Sequence, residues 1–181
     1  MTSNWPSKDD RESFEINNFI EHYKTLPNGR QLEIVGRGDN IKAGPDYFLK
    51  DVATNEQFGV ELTSVYIDDK SVPNFHKNPS PGSRTIPNDS LAMEKYFERV
   101  KNSISEKIQT AKSNYDTSYP LILSIYLNEY ISIFMDERAW GAFFQRNEKF
   151  FDQITPFCEI VIWPLPGPSV ESPKALSIRP N

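Results

Sequence analysis

The sequence predicts an α/β protein in which helices cover a mixed β-sheet, and three features of its patterning lead there. Residues 90–114 repeat apolar side chains at helical spacing between two apolar runs, 57–66 and 119–127. A long helix joining two strands is the spacing of a parallel crossover unit. The run 44–50 precedes 57–66 across a polar connection, and two such β-forming runs read as an antiparallel hairpin. Parallel and antiparallel neighbours together make the sheet mixed, and an amphipathic segment at 8–24 supplies a second covering layer.

The elements follow in order. Ser7-Lys8-Asp9-Asp10 has the S-x-x-D form of a capping box, so a helix begins near Lys8 and runs to about Lys24. Ile16, Phe19, Ile20, Tyr23 and Leu26 share its core face; Glu12 falls inside that stripe, Glu15 at its edge, and Glu21 points away. Pro27-Asn28-Gly29 is a turn, and residues 31–35 form a short strand with Leu32 and Ile34 on one face. Gly36-Arg37-Gly38 precedes no helix and lacks a third glycine, so it reads as a tight turn rather than a dinucleotide motif. After the hairpin, residues 67–90 form a long irregular segment with Lys70, His76, Lys77 and Arg84. Segments of this length are either functional or disordered. As a functional loop it leaves the strand that carries Glu61, and Lys70, Lys77 and Arg84 would meet phosphates.

In the helix 90–114, Met93, Tyr96, Phe97, Val100, Ile104, Ile108 and Ala111 form one stripe. The run 119–127 is apolar throughout, as for a central strand covered on both faces. Residues 130–134 read as a short strand or a helical turn. Asp136 caps a third helix with the stripe Trp140, Phe143, Phe144, Phe151 and Ile154, and a last strand, 159–163, is stopped by Pro164. The expected organisation is a single domain over 1–166 with an extended tail over 167–181.

Composition narrows the function. One cysteine, Cys158, permits no internal disulfide, and two histidines, His22 and His76, are too few for a His-rich zinc site. No run has the length of a signal sequence or membrane span, so a cytoplasmic protein without membrane contact is expected. The net charge of −5 argues against a dedicated nucleic-acid binder by charge alone and keeps a protein partner in view.

Chemistry concentrates in the hairpin. Alternation puts Phe58, Val60, Leu62, Ser64 and Tyr66 on one face and Gly59, Glu61, Thr63 and Val65 on the other. Asp46 opens the first strand, where the hairpin brings its carboxylate beside that of Glu61. Adjacent carboxylates repel unless a proton or divalent cation lies between them, and hard oxygen ligands suit Mg²⁺. One more residue breaks pattern. Lys107 projects within about 20 degrees of Val100, in the middle of an apolar face, where an ammonium must snorkel out or meet a carboxylate.

Pro45-Asp46, a gap of about fifteen residues, and Glu61-Leu62-Thr63 resemble the signature of the PD-(D/E)xK nuclease superfamily, and the element order resembles its αβββαβ restriction-endonuclease-like core with a helix and strand appended. The resemblance implies that Asp46 and Glu61 hold Mg²⁺ or Mn²⁺ and that a glutamate of the first helix completes the site. Phe14-Glu15 is similar to the pair found there in Holliday-junction resolvases, which points to Glu15, with Glu12 in reserve. Thr63 stands where the family has a catalytic lysine. Members are known whose lysine has moved to the helix behind the sheet, which makes Lys107 the candidate to replace it, with its ammonium in reach of Glu61, Asp46 or Glu15. The function implied is metal-dependent cleavage of nucleic acid. The alternative is a catalytically silent member acting as an acidic protein-interaction module, immunity or regulatory in kind. A third reading is nucleic-acid binding without cleavage.

Overall fold

Ser7 begins the first helix as its sequence dictates. In the computed structural model its side chain accepts the Asp10 N–H at 3.1 Å while the Asp10 carboxylate accepts the Ser7 N–H at 2.9 Å. This reciprocal cap starts α1 (Lys8–Tyr23). The structure describes residues 7–38, 44–66, 90–115, 118–127, 135, 137–165 and 174–180. The strands and helices after α1 are β1 (Leu32–Arg37), β2 (Tyr47–Asp51), β3 (Gln57–Val65), α2 (Ser90–Asn114), β4 (Leu121–Leu127), α3 (Glu137–Arg146), α4 (Glu148–Phe151), β5 (Phe157–Leu165) and β6 (Lys174–Ile178).

The strands form one six-stranded sheet in sequence order. β3, β4 and β5 are parallel neighbours, whereas β1–β2, β2–β3 and β5–β6 are antiparallel. The sheet is therefore mixed and flanked by helices, with Leu32, Glu61 and Ile125 in its strands and Asp46 immediately before β2. Alternation sorts the core into two layers. Ile16, Phe19 and Tyr23 of α1 pack with Leu49, Val60, Leu62, Ile122 and Trp163 on one face. Phe97, Val100, Ile104 and Ile108 of α2 pack with Leu121, Leu123, Ile125 and Ile162 on the other, joined by Trp140 and Phe143 of α3. β4 feeds both layers, which is why its sequence is apolar at nearly every position; buried Ser124 is the exception, and its Oγ accepts the Trp163 Nε1–H at 2.7 Å. Among the described residues no helix is long and apolar enough to cross a membrane.

Four sequence expectations change. The single third helix is two, α3 and α4, because Asn147 between them turns its side-chain amide onto the Phe143 carbonyl at 2.9 Å and leaves helical geometry. β1 runs on through Gly36 and Arg37, expected in a loop, by way of a register shift between Ile34 and Gly36. Pro164 does not end β5, which continues to Leu165 where the pairing with β6 slips. The segment expected as a tail from 167 supplies β6. Its pairing with β5 is pinned by buried Glu159, which accepts bonds from Tyr23 Oη at 2.9 Å, from Ser177 Oγ, and from Arg179 at 3.2 Å to each oxygen. The expectations for 67–89, for 128–134 and for Asp136 lie outside the described residues.

Candidate metal and phosphate site

The site exists because two neighbouring strands differ in length. β2 pairs with β3 only as far as Tyr47 opposite Val60, while β3 continues beside β4 to Val65. From Glu61 onward, among the described residues, no strand pairs with the β2 side of β3. Gly59 N–H bonds toward β4, to the Pro120 carbonyl, so the amides of even-numbered β3 residues face that edge. Asp46 answers one of them, with Oδ2 accepting the Leu62 N–H at 2.8 Å.

Two glycines set the Pro45-Asp46 backbone in place. A Cβ on Gly38 would come within 1.7 Å of the Pro45 carbonyl oxygen, and the Gly38 N–H instead donates to the Asp46 carbonyl at 2.9 Å. A Cβ on Gly59 would meet the Pro45 ring at 2.9 Å and Leu121 at 2.6 Å. Both positions need the missing side chain for close approach.

Glu61 is 3% exposed and fully engaged: Oε1 takes the Lys107 ammonium at 2.5 Å and Oε2 takes the Tyr115 hydroxyl at 2.7 Å. Lys107 comes from α2, which packs on the face that Glu61 and Thr63 share. The lysine that broke the helical pattern thus meets the carboxylate that broke the strand pattern, while its own side chain stays 30% exposed toward the cleft. Burial, and next the hydrogen bond to Glu61, raise the Tyr115 phenol well above its ordinary range.

Asp46 feels the same cluster. Burial, and next the negative charge of Glu61, push its carboxyl up to about 6, against the Leu62 hydrogen bond and Lys107, which favour the anion. Glu15 reaches the cleft from α1 on the opposite face of the sheet, with Oε1 accepting from Ser64 Oγ at 2.6 Å; burial raises its pKa, opposed by that bond. Helices from both faces can meet here only because β2 has ended. The resulting cleft, about 240 Å³, is lined by Glu15, Asp46, Thr63, Ser64 and Lys107 together with Lys8, Arg11 and Glu12. Glu12 faces it already paired, with Arg37 at 2.6 Å and Lys8 at 3.2 Å.

The structure therefore gathers Glu15, Asp46, Glu61 and Lys107 about one edge. Lys70, Lys77 and Arg84 lie outside the described residues. Tyr115 was missed by sequence reasoning, although extending the apolar stripe one turn past Ala111 reaches it. Among the described residues no group of three or more acidic, histidine or cysteine side chains is assembled around a common cation position. Mg²⁺ is commonly held by one or two carboxylates with waters and substrate phosphate completing its shell, and Glu12, Glu15 and Asp46 are the carboxylates that line this cleft. Neither a known family, nor a curated protein, nor a solved structure matches the chain.

Proposed function

We propose that this chain is a divalent-metal-dependent nuclease, a divergent PD-(D/E)xK protein in which Lys107 takes the place left by Thr63. The observation that carries the reading is the Lys107–Glu61 pair, 2.5 Å long, beside an Asp46 that burial first, and the Glu61 charge second, have made a weaker acid. The element order α1-β1-β2-β3-α2-β4 supports the restriction-endonuclease-like assignment.

In this reading Asp46 and Glu61 would hold Mg²⁺ or Mn²⁺, with Glu15 contributing from α1. The bound ion supplies a Lewis acid for the scissile phosphate and acidifies a water for in-line attack. The chain's own residues organise the rest. Tyr115 fixes the rotamer of Glu61, and Ser64 fixes that of Glu15. Lys107 Nζ, paired with Glu61 and facing the cleft, would supply an N–H for the attacking water and for the oxygens on which charge develops. Asp46 would act as the anion, so acid that protonates it opposes metal binding. Lys8 and Arg11 at the cleft rim attract the flanking phosphate.

The experiment is titration calorimetry with Mg²⁺ and Mn²⁺ together with cleavage assays on single- and double-stranded DNA and RNA. Cleavage that EDTA removes and that Asp46→Asn abolishes is the expected result. Absence of site-specific metal binding refutes it and favours the silent interaction module. That second reading draws on Thr63, on the net charge of −5, and on Glu61 having both oxygens satisfied within the protein.

A further inference from the structure

Phe14 is the residue before Glu15 on α1, and it is 55% exposed. Among the described residues it is the only aromatic side chain among the large apolar groups left in solvent. Among the described residues its ring partner is Tyr126, met edge to face with centroids 6.3 Å apart at 74°. Such a contact leaves at least one π face of Phe14 open. Tyr126 is itself backed by Trp163, centroids 4.8 Å apart, so the ring beneath is held in place. Arg11 and Glu15, both in the cleft wall, flank Phe14 at i−3 and i+1 on the helix. Arg11 and Phe14, three residues apart, are neighbours on the helix surface, so a cation of the cleft wall and an exposed ring share one helical turn.

We propose that Phe14, supported by Tyr126, is a stacking platform for an unpaired base of the strand whose phosphate enters the cleft, so that the substrate class is single-stranded nucleic acid, free or as a frayed end or flap. The inference rests on the nuclease reading. In an uninterrupted duplex both faces of every base are covered by neighbours, and no base can lie on a protein ring without leaving the stack. The charge of the chain points the same way. An acidic protein gains little from counterion release, so affinity for a strand must come from contacts such as base stacking, which does not depend on net charge.

The test uses the full-length chain, Phe14→Ala and Phe14→Trp, with single-stranded DNA, single-stranded RNA and blunt duplex DNA of one sequence, each in Mg²⁺. Single strands carrying 2-aminopurine report stacking directly. The expected result is 2-aminopurine quenching with the wild type and with Phe14→Trp but not with Phe14→Ala, and a KM for single strands raised about 5- to 100-fold in Phe14→Ala at nearly unchanged kcat. The DNA and RNA arms show which backbone the platform serves. If the wild type cleaves and Phe14→Ala leaves quenching and single-strand KM unchanged, or changes single strand and duplex equally, the platform is refuted while the nuclease reading stands. If the wild type neither binds metal nor cleaves any strand, both fall together.

Discussion

Asp46→Asn should make the metal-free protein more stable while destroying its proposed activity, and the size of the gain follows from the environment of the carboxyl. Folding raises the pKa from 3.8 to about 6, burial being the main cause and Glu61 the second. A carboxyl with a raised native pKa favours folding fully only below its unfolded value, and that stability is lost as pH rises through the native pKa. Above pH 7 two pKa units correspond to a ceiling of roughly 3 kcal/mol, and the remaining solvent contact brings the expected gain from substitution to about 1–3 kcal/mol. An asparagine keeps an oxygen for the Leu62 N–H, so the hydrogen bond need not be lost. Urea unfolding in EDTA at pH 8 should show the gain, and at pH 4 it should shrink below about 1 kcal/mol, because native Asp46 is then already protonated. Added Mg²⁺ should reverse the order by stabilising the wild type alone. Equal stabilities at pH 8, or a gain that does not depend on pH, would refute the account of a strained, cation-seeking carboxylate.

Lys107→Ala should reduce cleavage at least about a hundredfold while calorimetry still finds the metal, and full activity in that variant would return the weight to the silent module. Tyr115→Phe strips one bond from the buried Glu61 carboxylate, so thermal or urea unfolding should register a loss of about 1–2 kcal/mol. Arg179→Ala leaves Glu159 with only its neutral donors, Tyr23 and Ser177, and hydrogen exchange should then speed up selectively in residues 174–178. Unaltered exchange in those residues would mean that β6 is held by its backbone ladder alone.

Local pattern was enough for the parts of this protein that repeat along the chain. The S-x-x-D cap, the stripes of α1 and α2 and the alternation of β3 announced which side chains face inward. The same periodicities exposed the two residues that offend against them, Glu61 in a strand and Lys107 on an apolar helix face. Each offence states a need for a partner, and together they anticipated the pair. Neither period says where a neighbouring strand stops. Among the described residues, one side of β3 goes without a strand partner because β2 ends at Tyr47, and only that ending lets α1 and α2 bring Glu15 and Lys107 to one cleft from opposite faces. The same holds for Tyr115 reaching Glu61 across 54 positions, and for Glu159 binding Ser177 of a sixth strand and Arg179 just past its end, in a stretch that reads as a polar tail. These are contacts between distant segments, chosen by the burial of charge and by strand order. A hydrophobic period carries no information about either, because it records the face a residue takes and not the element that comes to cover it.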